Sequence, residues 1–571
     1  MMNYKRKFRP ALRRSGRSKM QHRRARGGML LAFLFAAVLS FSCGRKNMFN
    51  EADSHILKMT PEQKIGQLLM FALPGGGFGK TSDRLMKRYL PGGIILFGYN
   101  GNDSKKIRRL VDAYQAASVK YTGIPLLVST DQEGGKVKRI TKGVTQFPGN
   151  MAAGAVGDED LVYEWARILG IELRRAGINM NLAPSVDVNN NPENPVINTR
   201  SFGSDVKSVS ALGVAYVQGL QKSKCIAVAK HFPGHGDTNK DSHLILPVIP
   251  FGMDRLRALE LAPFRAVIRN DVECIMTAHI AYPNILGTME SATVSYKILT
   301  GLLRNEMGFE GLIITDDLEM HAIAKNLDIG QAALKSVLAG TDIILISSHG
   351  KNVQDIYKTL SAAYRDGTLT EERLNQSVRR ILEMKMRYGI MNPSKKRGEG
   401  RKYVFTRDEI KLLEEARELN RKITSRSICY AGTLQNIYPS GDTRRIFYME
   451  EYKLKKRIAH KGQNIFVGSL SDIAAYDTGK KKTVAYYGFY RPEKAKIELF
   501  LKICREKGME AVLVCTANPF PALLQKGDRT VVMSFSNTDE SLKHLADCLN
   551  GTLKPKLLKH IQYRRPTASS E

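Results

Sequence analysis

The chain reads as an α/β protein, a (β/α)8 TIM-like barrel followed by a smaller α/β domain of αβα layers. Three observations predict this. Short apolar runs alternate with amphipathic helical segments from about residue 60 to 390. Polar and charged residues gather at the C-terminal ends of those runs. Beyond a Pro/Gly/charge-rich stretch a second, shorter set of apolar runs begins. A doubly wound open sheet shares the first observation, and spacing alone does not separate the two.

The N-terminus comes before either domain. Eleven cations from Lys5 to Arg26 run into the apolar stretch 29–41 (MLLAFLFAAVLSF), which ends at Ser42, Cys43 and Gly44. About 20 residues are needed to span a bilayer as a helix, so this stretch is too short. A basic segment, a short apolar core and then small residues make a secretory signal, set apart from the fold. Ser40-Phe41-Ser42-Cys43 resembles a bacterial lipobox, with Ser40 where leucine is usual. The expectation is a signal over 1–43, lipidation of Cys43, and an exported protein held at the membrane by a lipid anchor.

The barrel is expected over 50–390. Its strand-like runs are 66–73, 92–98, 124–131, 179–187, 225–232, 274–280, 311–317 and 341–347. Continuous apolar runs suit parallel strands covered on both faces by helices, and about eight of them argue for a barrel. Helical segments lie between, among them 105–120 and 254–270, and a last helix over 371–389 closes the region. Residues 391–403 (MNPSKKRGEGRKY) form a linker. Over 404–571, apolar runs at 464–468, 483–489, 510–517 and 530–536, with a helix over 493–508, predict the smaller domain.

Composition narrows the function classes. A hydrophobic fraction of 43% and a charged fraction of 25% belong to a globular chain. The net charge of +33 falls to +22 once the eleven N-terminal cations are set aside. No nucleic-acid motif accompanies that charge, so no nucleic-acid partner is expected. Seven cysteines without a C-x-x-C pair exclude a disulfide-dense scaffold or a zinc ribbon. The six beyond Cys43 sit in apolar runs, where cysteine packs as a small hydrophobe. GGGFGKTS (75–82) fails as a phosphate loop, because Pro74 stands where the first glycine is required. Trp165, the single tryptophan, reads as packing.

The polar run-ends are Asp131, Asp187, Lys230 and His231, His279, and Asp316 and Asp317. A barrel places its active site at that end of its strands. One such Asp is as readily a helix cap, and that role is assigned to Asp317. The concentration of chemistry lies in KHFPGHGDTNKDSH (230–243). A metal site from His231, His235, Asp237, Asp241 and His243 is one reading, but Pro233 and Gly234 break the helix that would align the first two. No metal or cofactor is expected. The better reading is a dyad. In an extended loop Asp241 and His243 project to one side, so the carboxylate orients the imidazole for general acid–base work. Gly234 and Gly236 would let that loop move in and out of a pocket. Asp316, at a strand tip, is a candidate covalent nucleophile.

Taken together, DQEGGKVKRI (131–140), NTRSFGSD (198–205), KHFPGHGDTNKDSH (230–243), TAHIAYP (277–283) and ITDDLEM (314–320) resemble glycoside hydrolase family 3, in its β-N-acetylglucosaminidase branch. The resemblance runs from about residue 55 to 390 and more weakly beyond. It implies that Asp316 is the nucleophile and that His243, held by Asp241, is the general acid/base. It implies that Asp131, Arg200, Lys230 and His231 bind the terminal sugar, with Glu133 in a supporting role at most. The activity implied is exo-acting, retaining release of terminal β-linked N-acetylglucosamine from peptidoglycan-derived muropeptides, by a monomer. A β-glucosidase, a phosphorylase of the same family, or a wall-sugar-binding lipoprotein without turnover are the alternatives.

Overall fold

Eight short strands build the first sheet: β1 Leu69–Ala72, β2 Gly93–Leu96, β3 Leu127–Thr130, β4 Met180–Asn181, β5 Ile226–Phe232, β6 Cys274–Thr277, β7 Leu312–Ile314 and β8 Ile344–Ile346. One falls inside each expected apolar run. The computed structural model describes residues 51–242, 244–324, 327–391, 407–431, 437, 443–458, 464–479, 482–490, 493–519, 530–550 and 552–558. The signal with Cys43, His243 and most of the linker lie outside the described residues. Residues 51–56 are helical; the two sheets belong to the unit that begins at Met59.

Every pairing in the first sheet is parallel, in chain order from β1 to β7, with β8 beside β1. A bridge between Ile314 and Ile343 joins β7 to the start of β8 and closes the ring. This is the barrel, not the open sheet. Its strand residues are all buried, which is why they read as unbroken apolar runs. Asp103, Asp158 and Asp205 cap the helices Ser104–Thr122, Glu159–Arg175 and Val206–Lys222 by accepting backbone N–H groups of the first turn.

Two expected elements differ. The segment 254–270 forms two helices, Met253–Ala258 and Leu261–Arg269, because Pro263 has no N–H to offer the carbonyl four residues back. The run 179–187 pairs as a strand only at Met180–Asn181. Pro184 interrupts the ladder, and a single bridge from Ser185 to Lys230 resumes it. That bridge sets Asp187 beside the end of β5.

The second sheet has the order β11-β10-β12-β13-β14-β9-β15. Its members are β9 Cys429–Ala431, β10 Arg444–Met449, β11 Asn464–Val467, β12 Thr483–Phe489, β13 Glu510–Cys515, β14 Thr530–Met533 and β15 Lys556–Leu557. All pairs are parallel except β9 with β14. Apolar side chains of helix Lys494–Glu506 cover one face and those of helix Asp539–Leu549 the other. Strands β9, β10 and β15 were not expected from the sequence; RRIFYM is half polar and the other two are very short. The six described cysteines are buried and free. No helix among the described residues is long and apolar enough to cross a membrane.

The helix Glu371–Arg387 packs on the helix Pro61–Gln67 that leads into β1, so the two ends of the barrel segment meet. Lys385 lies between them, fully buried, with its Nζ donating to Gln67 Oε1 at 2.8 Å. Burial alone pulls its ammonium down to about 7, against about 10.4 in an unfolded chain. Between those values the unfolded state holds a proton that the folded state lacks, so stability rises with pH. Lys385→Met should therefore stabilise the protein most below pH 7. The gain should shrink by up to ~1.4 kcal/mol per pH unit between about pH 7 and 10. Denaturant midpoints at pH 6 and pH 9 measure this; a gap independent of pH refutes it.

Candidate active site

At the C-terminal end of the barrel strands lies a cavity of about 340 Å3, in the range of small-ligand pockets. Asp131, Arg200, Lys230, His231, Asp241 and Asp316 all line it. The structure thus brings together every candidate binding or catalytic residue that it describes; His243 lies outside the described residues. A larger, more apolar groove of about 490 Å3 is walled by Leu244–Leu246 and His321–Ile323. These segments continue the two loops that line the cavity.

Strand β5 ends in Lys230 and His231. The Lys230 ammonium, 2% exposed, sits 2.8 Å from Glu133 Oε1 and 3.1 Å from Asp131 Oδ1. Arg200 forks onto the same Glu133, Nε to Oε2 at 3.0 Å and Nη2 to Oε1 at 2.8 Å. Burial would raise the Glu133 carboxyl, but the charges and hydrogen bonds of Arg200 and Lys230 win and hold it far below the usual range. Burial would lower the Lys230 ammonium, but Glu133 and then Asp131 outweigh burial and the repulsion of Arg200 and keep it above its ordinary value. Arg139 adds Nη2 to Asp131 Oδ2 at 3.2 Å. The role of Glu133 is a supporting one: it is the shared anion of buried Lys230 and partly buried Arg200.

Asp187 organises the other side. Its carboxylate accepts the His231 ring nitrogen Nδ1 at 2.8 Å, the His231 backbone N–H at 3.1 Å and the His235 backbone N–H at 2.7 Å. Burial opposes its charge, but His231 and these bonds bring it down to about 2. Holding Nδ1 leaves His231 Nε2 turned toward Arg200 Nη2, 3.4 Å away. His235 is buried between Thr238 Oγ1 at 3.2 Å and Ser242 Oγ at 2.9 Å. Burial, followed by the charge of His231, lowers it to about 4, so it is neutral at ordinary pH. Among the described residues no cluster of three or more His, Cys, Asp or Glu side chains is arranged to hold a metal ion.

The loop departs from expectation in one way. The Asp241 carbonyl accepts the N–H groups of Leu244 and Ile245, so a turn, not extended backbone, begins there. The glycines also permit close packing. A Cβ on Gly236 would lie 1.7 Å from Val188 O, and one on Gly234, whose φ is +137°, 2.6 Å from Glu260 Cβ. Tyr282 Oη donates to Gly234 O at 2.7 Å, and Arg255 ties down Asp237 at 2.8 Å.

Asp316 follows β7 and is partly exposed to the cavity. Burial pushes its carboxyl up, but His231, His279, the N–H of Asp317 and Lys230 outweigh that and leave it below the usual range. It is an ionised carboxylate aimed at a cavity. Asp317 is not the helix cap expected of it: the next helix begins only at His321, and the Asp317 carboxylate accepts from Glu319 N at 3.1 Å and from Ser347 N, beyond β8, at 3.0 Å. His279 lies behind the wall, with Nε2 donating to Asp317 O at 2.9 Å. Trp165 is fully buried against Phe147 and Tyr216, as packing.

The family model described as the glycosyl hydrolase family 3 N terminal domain matches residues 60–384, more than half of the chain. The chain belongs to that family. Beta-hexosaminidase A of Pseudoalteromonas piscicida is 39% identical over 326 residues, 53% of this chain and 54% of that protein. The Beta-N-acetylglucosaminidase/beta-glucosidase of Cellulomonas fimi is 32% identical over 348 residues, 59% of each. The chain therefore spans little more than half the length of these two relatives. A solved glycoside hydrolase family 3 beta-N-acetylglucosaminidase from Paenibacillus sp. str. FPU-7 is similar at TM-score 0.77 and 33% identity. It covers 87% of this chain and 98% of its own, so the likeness to this family 3 structure extends past the barrel into the second sheet.

Glu133 gives a direct test of the site's electrostatics. Its depressed carboxyl contributes stability that is present above the unfolded value of about 4.3 and is lost as pH falls below it. Glu133→Gln leaves partly buried Arg200 without its carboxylate and buried Lys230 with Asp131 alone, and should cost on the order of 3–5 kcal/mol at pH 7. The difference from the parent should narrow below about pH 4. Chemical denaturation across that range measures it, and a loss below ~1 kcal/mol at pH 7 would overturn the account.

Proposed function

We propose that the protein is an exo-acting, retaining β-N-acetylglucosaminidase that releases terminal N-acetylglucosamine from peptidoglycan-derived muropeptides. The observation that carries this reading is the ionised Asp316 carboxylate lining a small cavity together with Asp131, Arg200, Lys230 and His231. The names of the two relatives and of the solved neighbour support the sugar. The cavity volume suits one terminal residue, and the adjoining apolar groove offers room for the remainder of the substrate.

In the proposed chemistry an Asp316 oxygen attacks the anomeric carbon while the glycosidic C–O bond breaks. The imidazolium of His243 gives its proton to the departing oxygen. A glycosyl ester on Asp316 results. Neutral His243 then takes a proton from water, whose oxygen attacks the same carbon and frees Asp316. Two inversions give retention. Histidine titrates near neutral pH, and as a neutral base it adds no negative charge beside the ester. Asp241 would orient the ring and stabilise its charged form. Asp131, Arg200, Lys230 and His231 would take the sugar's hydroxyls and N-acetyl group; Glu133 and Asp187 hold those side chains in position.

Phosphate as the acceptor is the second reading. It is favoured by Lys136 and Arg139 in the cavity lining together with the neutral base. The N-terminal sequence supports an exported protein anchored through lipid on Cys43, and we propose that it acts as a monomer.

A fluorinated slow substrate should label Asp316 in peptide mass mapping, and Asp316→Ala should abolish turnover of aryl β-N-acetylglucosaminide while the protein still unfolds cooperatively. A label elsewhere, or none during active cleavage, overturns the reading. His243→Ala should lose at least tenfold more rate on disaccharides than on aryl glycosides with good leaving groups; equal losses would remove the acid role. Turnover of aryl β-N-acetylglucosaminide against aryl β-glucoside, each with and without phosphate, separates the proposed sugar and acceptor from the alternatives.

A further inference from the structure

An aromatic side chain just beyond the second sheet packs beside the Glu133–Arg200 pair. Phe535 follows β14 and is 3% exposed. Its φ is +56°, a left-handed conformation that bulky side chains rarely adopt and glycine adopts freely. Such a conformation persists where the surroundings over-determine it. Here the backbone on either side is pinned: Ser534 N donates to Cys515 O at 3.1 Å, and Ser534 Oγ to Ser536 O at 2.7 Å. The phenyl group is held against the barrel. It lines a void of about 10 Å3 together with Glu133, Gly149, Asn150, Thr199 and Arg200, a space at the lower limit for one water.

A packed route leads from there to the guanidinium. The short barrel helix Asn150–Val156 contributes Met151, Ala152 and Ala155 to the same apolar cluster as Phe535, Phe500 and Leu501. The core of the second domain is thus completed by a barrel helix. Asn150, the first residue of that helix, donates Nδ2 to Arg200 O at 2.7 Å. Arg200 in turn ends the turn Asn198–Arg200 and forks onto Glu133. The Asp539 and Lys453 charges of the second domain also reach Lys138, on the strap that carries Glu133. The ion pair between Arg426 and Asp158, at 2.9 Å, fixes the two parts together nearby.

We infer that Phe535 is a positioning residue for substrate binding: from the second domain it fixes the Asn150–Arg200 contact and so the Arg200 guanidinium that faces the sugar. This inference deepens the proposed function and rests on it for its assay. The buttress acts on a binding group, not on Asp316, so it should show in KM and not in kcat.

With aryl β-N-acetylglucosaminide and the full chain, Phe535→Ala should raise KM at least fivefold while kcat stays within twofold. Phe535→Leu, which refills most of the space, should return KM to within twofold of the parent. Leu501→Ala, in the same apolar cluster but away from the void, should lower Tm and leave KM unchanged. If Phe535→Ala does not fold, Asn150→Ala tests the barrel end of the same route and should raise KM likewise. Parental KM in the folded Phe535→Ala protein, or an equal KM rise in Leu501→Ala, overturns the inference. If the parent instead prefers the aryl β-glucoside, the proposed sugar falls, and the same comparison is read on the glucoside.

Discussion

Two cations that line the cavity depend on two carboxylates, one in its lining and one buried outside it, and the geometry of the site follows from their need for one another. A buried lysine or arginine is tolerated only when paired and hydrogen-bonded. Lys230 and Arg200 meet that condition through a single Glu133, with Asp131 as the second anion for Lys230. Because one carboxylate serves both cations, its position fixes both. Two long, flexible side chains are thereby held as fixed donors at the wall of a cavity, which is the preorganisation that binding and electrostatic catalysis require.

Asp187 works by the same logic with a different result. It spends its carboxylate on the ring of His231 and on two backbone N–H groups, leaving His231 with a defined orientation. The positive fields of His231 and Lys230 then fall on Asp316, whose own burial would otherwise favour its neutral form. An ionised carboxylate is what a nucleophile needs, and it arises here from neighbours supplied by other strands. The glycines of the following loop fit this picture of a rigid support: they allow backbone to approach within contact distance of Val188 and Glu260.

The second sheet is part of the same mechanical unit. Its apolar core takes in a helix of the barrel, and the first residue of that helix holds the backbone of Arg200. Burial of Met151, Ala152 and Ala155 makes the placement of one binding group dependent on a domain that contributes no lining to the cavity among the described residues.

Much of this was legible in the chain itself. Barrel strands covered on both faces must be apolar throughout, so eight unbroken runs announced eight strands, and residues at the run-ends announced the cavity. Short or half-polar strands such as β9, β10 and β15 carried too weak a periodic signal to be seen. Local sequence determined which side chains stand at the mouth of the barrel: Asp131, Lys230, His231 and Asp316 each sit directly at a strand end. It did not determine how those side chains are held. Glu133 meets Arg200 across 67 positions, Asp187 meets His231 across 44, and Phe535 lies in a different sheet from the arginine it supports. Charge pairing and close packing depend on distance in space, and only the closed ring with its docked second sheet brings those residues together.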